Sequence, residues 1–473
     1  MGDRPLPTPS LSDAFGDARF QVPLDLIARA LDLHSRRSLR AVSRGSREFV
    51  DERVTRVAQR GAAAAPPPAL RWPNVRELRL SGAGLAALRP RDWINVEVLG
   101  VDVDDDDAVA ALAAFAPRLP RLHSLALGGR GLDAGLRTLA AEPWAALEAL
   151  CVGRLTLDGG AALAAGALPS RLRRLSVLAC RSTAAGVAAL VRDDARWAAL
   201  EEVTLGGSFE PAWSGDRVVA ALAAGWRSVP RLRALPLQDC LLAHRAARAL
   251  GAAGWALETL DLSGNPLGAR GVGALAAAPA LALRRLCLWR CGLRADALVE
   301  LAAAPWALDE LVLSGNDFRG ADAGPALAAL LARQRRLRRL ALDNCLGAAA
   351  LRALAAAHLP ALQRLSAAAD STDTRPGVVE LGEAAFARLP ALEVLRLSGH
   401  FLGPAGAARV ASRPWARLRE LHLAMTRLGA GGLAALAARA WPALERLEVW
   451  GNEVDAPTLG RARAWAPKLA HLR

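Results

Sequence analysis

Leucines recur along this chain at a fixed cadence. The pattern L-x-x-L-x-L-x-x-N/C begins at residues 75, 96, 122, 147, 172, 200, 232, 257, 283, 308, 337, 362, 392, 418 and 444, which is 369 residues in 14 steps. The mean unit is therefore about 26 residues, a period that marks a repeat array. The copy LETLDLSGNPLGARGVGALAAAP, residues 257–279, shows what the cadence builds. Leu260 and Leu262 alternate with Thr259, Asp261 and Ser263, the period of a strand with one buried face, and Leu257 lies on the approach. Asn265 follows, where the chain must turn. Val272 and Leu275 then return at helical spacing, with glycines at the bends. One such unit cannot bury a core, but a stack can. The expectation is a curved solenoid with about fifteen parallel strands inside and short helices outside.

The turn position carries the next signal. Asn265, Asn316 and Asn452 fill it in three repeats, and Cys180, Cys240, Cys291 and Cys345 fill it in four. A side-chain amide there can satisfy backbone groups that the turn leaves unpaired, and a cysteine reads as a small buried residue. Cys151 and Cys287 fall on outward strand positions of separate repeats, so no disulfide or metal pairing is expected. Trp144, Trp197, Trp255, Trp306, Trp415 and Trp441 each stand just before the next strand, as packing wedges.

These residues make the array similar to ribonuclease-inhibitor-like leucine-rich repeats, and the Asn/Cys turn resembles the cysteine-containing repeats of F-box proteins. The resemblance covers residues 71–473 and implies an α/β leucine-rich-repeat solenoid. It is specific for fold and says little of function.

Composition changes the picture only once charge is placed. The chain has 473 residues, 53 % hydrophobic and 4 % aromatic, no tyrosine, and a formal charge of +14. Nearly all the basic residues are arginine, Lys468 being the single lysine, a bias that compositional drift explains. Much of this arginine also falls into a ladder. The residue after each first leucine reads Arg173, Glu201, Arg233, Glu258, Arg284, Asp309 and Arg338, then, after Gln363, Glu393, Arg419 and Glu445. In a parallel sheet these are neighbours about 4.8 Å apart, and opposite charges attract by roughly 0.2–1 kcal/mol per pair. The ladder is expected to fix register, and nucleic acid is not an expected partner.

Catalytic and cofactor motifs are missing. Lys468 is followed by Leu469, which excludes a Walker loop. The seven histidines show no metal-ligand spacing. The acids of VDVDDDD, residues 101–107, lack the glycine and glutamate of a calcium loop and precede an apolar run, so they read as a helix cap. No enzyme activity, metal or cofactor is expected. No apolar run is long enough to span a membrane, and the opening MGDRPLPTPS has no apolar signal segment, which points to the cytoplasm, with nucleus and cytoskeleton as alternatives. The end LAHLR opens one more repeat, and an exposed sheet edge is expected there.

The N-terminal region does not follow the repeat. Residues 1–19 read as a disordered tail, 20–60 as a small helical segment and 61–70, GAAAAPPPAL, as a linker. The segment resembles an F-box: VPLDLI for its opening and LRAVSR for its later stretch. That resemblance implies docking on a Skp-type adaptor of a cullin ubiquitin ligase. Pro23, Leu26, Ile27, Leu31, Leu33, Leu39 and Val42 supply the apolar contact, and the repeats hold a protein target. The alternative is a scaffold or inhibitor like the ribonuclease-inhibitor family, cytoskeletal or ciliary proteins included, whose N-terminal segment only caps the first repeat. Target contact is expected on the concave face and at the two long repeats starting at 200 and 362. The candidate anchors are Trp213 in the first insertion, and Trp289, Arg396, His422 and Trp450, large residues among small outward ones.

Overall fold

Strands form wherever a leucine triplet recurs. The computed structural model describes residues 56–58, 75–82, 93–206, 215–369, 385–453 and 471–472, apart from short stretches between elements. The seven adaptor-contact candidates from Pro23 to Val42, the linker 61–70, Trp213 and the insertion 371–383 lie outside the described residues. The chain divides into two units, one running to Thr204 with Ser228–Arg231, the other comprising Leu205–Arg227 and Leu232–Arg473.

The first unit begins with β1 (Arg56–Ala58) and continues through β2 (Glu77–Ser81), β3 (Val98–Asp102), β4 (Ser124–Gly128), β5 (Ala149–Val152) and β6 (Arg174–Leu178). Helices α1 (Asp106–Phe115), α2 (Leu132–Ala141) and α3 (Leu157–Ala165) alternate with them. Each strand pairs parallel with the next, and Leu78, Leu99, Leu125, Leu150 and Leu175 stand in register. β1 lies inside the span 20–60 that the sequence reading gives to a helical segment, and it pairs with β2 through Val57 and Leu78.

β7 (Glu202–Gly206) follows, and then the second unit: α4 (Gly215–Gly225), β8 (Ala234–Pro236), α5 (His244–Ala252), β9 (Thr259–Asp261), α6 (Gly268–Ala276) and β10 (Arg285–Cys287). After these come α7 (Ala295–Ala303), β11 (Glu310–Val312), α8 (Ala323–Arg333), β12 (Arg339–Ala341), α9 (Ala348–Ala356) and β13 (Arg364–Ser366). The unit ends with β14 (Val394–Arg396), α10 (Gly403–Ala411), β15 (Glu420–His422), α11 (Gly429–Ala437), β16 (Arg446–Glu448) and β17 (His471–Leu472). From β8 to β17 every neighbouring pair is parallel. The central leucines, among them Leu260, Leu286, Leu311 and Leu340, stack in register and are 2 % exposed or less. Burying one such leucine contributes roughly 1.5–3 kcal/mol, and a carboxylate in its place would sit unpaired in the core.

The turn amide does what the spacing asked of it. Asn316, 6 % exposed, accepts the backbone N–H groups of Cys291 at 2.9 Å and Leu293 at 3.0 Å. It donates to the carbonyls of Leu288 at 2.8 Å and Leu313 at 2.7 Å, so it binds its own repeat to the one before. Two repeats use residues that the sequence pattern did not admit. His400 bonds the Ala367 carbonyl through Nε2 at 2.6 Å, and Thr426 donates its hydroxyl to the Leu423 carbonyl at 2.7 Å. The residue ahead of this position enters the left-handed region: Gly264 and Gly315 do so freely, with φ of 72° and 73°.

Three of the recurring tryptophans cap as well as pack. Trp144, Trp415 and Trp441 each donate the indole N–H to a carbonyl in the last turn of the preceding helix, at 2.8 Å to Leu139, 2.8 Å to Val410 and 3.0 Å to Leu436. Last-turn carbonyls lack the regular helical amide partner, and at Val410 and Leu436 the indole adds to long backbone bonds of 3.4 Å from Arg413 and Arg439. Asp105 caps the other kind of end, its carboxylate accepting the Ala108 N–H at 2.7 Å at the start of α1.

Candidate functional site

Because the leucines of each strand point into the core, the alternate positions of the second unit form an outward face from Thr259 to Glu448. Charge is paired along it. Arg233 lies 3.7 Å from Glu258, Arg284 2.8 Å from Asp309 and Arg419 3.1 Å from Glu445. In the first unit Arg76 lies 3.7 Å from Glu97, and Arg173 3.7 Å from Glu201. In each pair the arginine belongs to the earlier repeat and the acid to the next. Among the described residues, the steps from Glu258 to Arg284 and from Asp309 to Arg338 carry no ion pair. The expected ladder is thus a set of discrete rungs, with Arg284 and Arg419 each reaching the acid of the next repeat.

The four described anchor candidates separate into different situations. Trp289 and Trp450 are 38 % and 50 % exposed, and both stand in the turns just beyond β10 and β16 rather than at mid-strand. The Arg290 guanidinium lies 4.5 Å from the centre of the Trp289 ring, a cation–π contact that holds the indole in place. Arg396, at the end of β14, is half-exposed and 3.6 Å from Glu420. His422 is not presented to solvent. It is 7 % exposed, with Nδ1 2.7 Å from Glu448 Oε2 and Nε2 3.2 Å from Glu420 Oε2. Long side chains on its own and the next strand close over a ring that sequence position alone would place outside.

Register joins three of the four: Arg396 pairs with His422, His422 with Glu448, and Trp450 lies two residues beyond. Trp289 stands apart, at β10. Burial pushes the Glu420 carboxyl up, but the His422 hydrogen bond and charge, with Arg396 and Arg446, outweigh it and hold the group below its usual range.

A groove the sequence reading passed over lies between these two aromatic ends. A cavity of about 140 Å³ opens over β11–β14, with Glu310, Arg339, Arg364 and Arg396 around Val312, Ala341 and Val394. A polar depression of about 430 Å³ adjoins it, lined by Arg284, Arg285, Arg338 and Arg339 together with Glu258, Asp309 and Glu310. The signal was in the row reading Arg285, Glu310, Arg339, Arg364, one position along from the ladder.

Burial quiets three of the described thiols. Desolvation raises the thiol pKa at Cys151 and Cys287 and pushes Cys291 up to about 12, so these groups stay protonated at neutral pH. No group of metal-ligating side chains is assembled among the described residues.

A leucine-rich-repeat family model matches residues 257–276. The fold is similar to that of TLR13 in its complex with ssRNA13, with 16 % identity and a TM-score of 0.58 over 91 % of this chain and 60 % of that one. The chain folds as a leucine-rich-repeat protein. This leucine-rich-repeat chain is also similar to a Leptospira interrogans LRR protein (17 % identity, TM-score 0.39, 85 % of this chain and 96 % of that one). A further match is to the yeast Rad7 and Elc1 complex (18 % identity, TM-score 0.46, 78 % and 90 %). No curated protein matches the sequence. Among the described residues no helix is long and apolar enough to cross a membrane.

Proposed function

We propose that the chain is a protein-interaction receptor serving as the substrate-recognition subunit of a cullin-type ubiquitin ligase. The F-box-like residues 20–54 dock a Skp-type adaptor, and the outward sheet face of the second unit, with Trp213 and the insertion near residue 371, holds the target. One observation carries this reading. Trp289 and Trp450 leave large aromatic surface in water on a face otherwise built of small and charged side chains, and exposed tryptophans are the usual anchors of interfaces. The chain itself catalyses nothing here; it raises the local concentration of target near a separate conjugating enzyme.

A second reading has its own support. β1 pairs with β2, so residues ahead of the first repeat cover its edge, as a solenoid cap does. In a scaffold or inhibitor that is all this region does. The test mixes recombinant Skp-type adaptor with the full chain and with a chain starting at Asp51, which keeps β1. Capture by the full chain alone, with equal thermal stability of both, supports the receptor. Capture by neither, with early melting of a chain starting at Arg71 that lacks β1, selects the scaffold.

A further inference from the structure

Alternation of charge fails at one place on the sheet of the second unit. Arg339 and Arg364 are register partners on β12 and β13. Adjacent strands stand about 4.8 Å apart, and like charges directly opposite one another repel. Glu310 is 3.9 Å from Arg339, while the partner of Arg364 on its other side is Val394. In the neighbouring row Asp309 belongs to Arg284, and Arg338 stands beside neutral Gln363. Among the described residues, neither Arg338 nor Arg364 has an ion-pair partner.

This break coincides with the cavity of about 140 Å³, close to the roughly 150 Å³ void that admits a benzene ring. Three guanidiniums, one carboxylate and Ser366 line it, together with Val312, Ala341 and Val394. We propose that it binds a glutamate side chain of an acidic peptide segment belonging to the target protein. Val312, Ala341 and Val394 receive the methylenes, and the arginine forks receive the carboxylate in the two-pronged geometry that suits them. An incoming negative charge also relieves the Arg339–Arg364 repulsion. A further acid of the segment lies beside Arg338 in the polar depression, whose Arg284 is already held by Asp309. The inference rests on reading this sheet face as the target surface and adds the chemistry of what it takes.

The test titrates a fluorescein-labelled polyglutamate peptide into the full chain and follows anisotropy, with a polylysine peptide and an equally charged oligothymidylate in parallel. Three proteins are compared: the parent, R339E/R364E, and R248E/R352E, which makes the same charge change on exposed helix positions. The expected result is a loss of about tenfold or more for R339E/R364E and little change for the helix variant. Equal losses in both variants would mean binding through bulk charge and would overturn the proposal. Tighter binding of the oligothymidylate, lost in R339E/R364E, would overturn it in favour of nucleic acid. Polylysine binding that Trp450→Ala abolishes would sink the acidic preference and leave the surface reading standing; no binding of any probe would sink the proposal as well.

Discussion

Asn265 holds Cys240 across the repeat boundary: its Oδ1 accepts the Cys240 backbone N–H at 2.9 Å. The same oxygen accepts the Leu242 N–H at 2.9 Å, and Nδ2 donates to the carbonyls of Leu237 at 2.7 Å and Leu262 at 2.8 Å. The side chain is fully buried. Asn265→Ala leaves those groups without partners in a dry core, where each stranded group costs about 1–3 kcal/mol, so a loss of at least about 3 kcal/mol is expected. Cys291 occupies the same position one repeat on, and its thiol donates to the Leu262 carbonyl at 3.1 Å. Cys291→Ala should cost about 1 kcal/mol. Urea midpoints of the full chain separate the two, and equal shifts would contradict the amide's role.

His400 makes stability depend on pH. Burial disfavours the charged ring and holds His400 below its ordinary value, outweighing the Ala367 carbonyl and Asp343, which favour charge. The unfolded chain binds this proton near 6.5 and the folded chain only at lower pH, so stability falls as pH drops through 6.5. His400→Asn installs the amide used at residues 265, 316 and 452 and removes the proton uptake. The variant's melting temperature should fall less than the parent's between about pH 7 and pH 5. Parallel curves would count against the buried neutral ring.

The shortest rung of the charge ladder should still be weak. Arg284 and Asp309 lie 2.8 Å apart, but the arginine is half-exposed. A double-mutant cycle with Arg284→Ala and Asp309→Ala should give a coupling below about 1 kcal/mol that shrinks in high salt. A larger, salt-insensitive coupling would show that the rungs carry stability rather than bias register.

Much of this fold can be read from the leucine cadence, because a period-2 strand with one dry face leaves little choice of register. Leu260, Leu286 and Leu311 align as the spacing requires. β1 escaped notice because Val54 and Val57 form a single short copy with no asparagine or cysteine after it. His400 and Thr426 escaped because the turn needs a buried hydrogen-bonding group, a wider class than the two residue types the pattern names. At the candidate site, exposure was the harder quantity. Trp289 and Trp450 are open, yet His422 is covered by Glu420 and Glu448, and no single-strand pattern reports what neighbouring strands lay over a residue.

The functional reading depends above all on a ligand seating on the outward sheet face of the second unit. Photo-crosslinking of a benzophenone-bearing polyglutamate peptide to the full chain, with the labelled residues mapped by mass spectrometry, locates that contact directly. The account requires crosslinks on the strands between Arg285 and Arg396 and in the turn at Trp289. Crosslinks gathered on the helices from His244 to Ala356, with the sheet unlabelled, would contradict it.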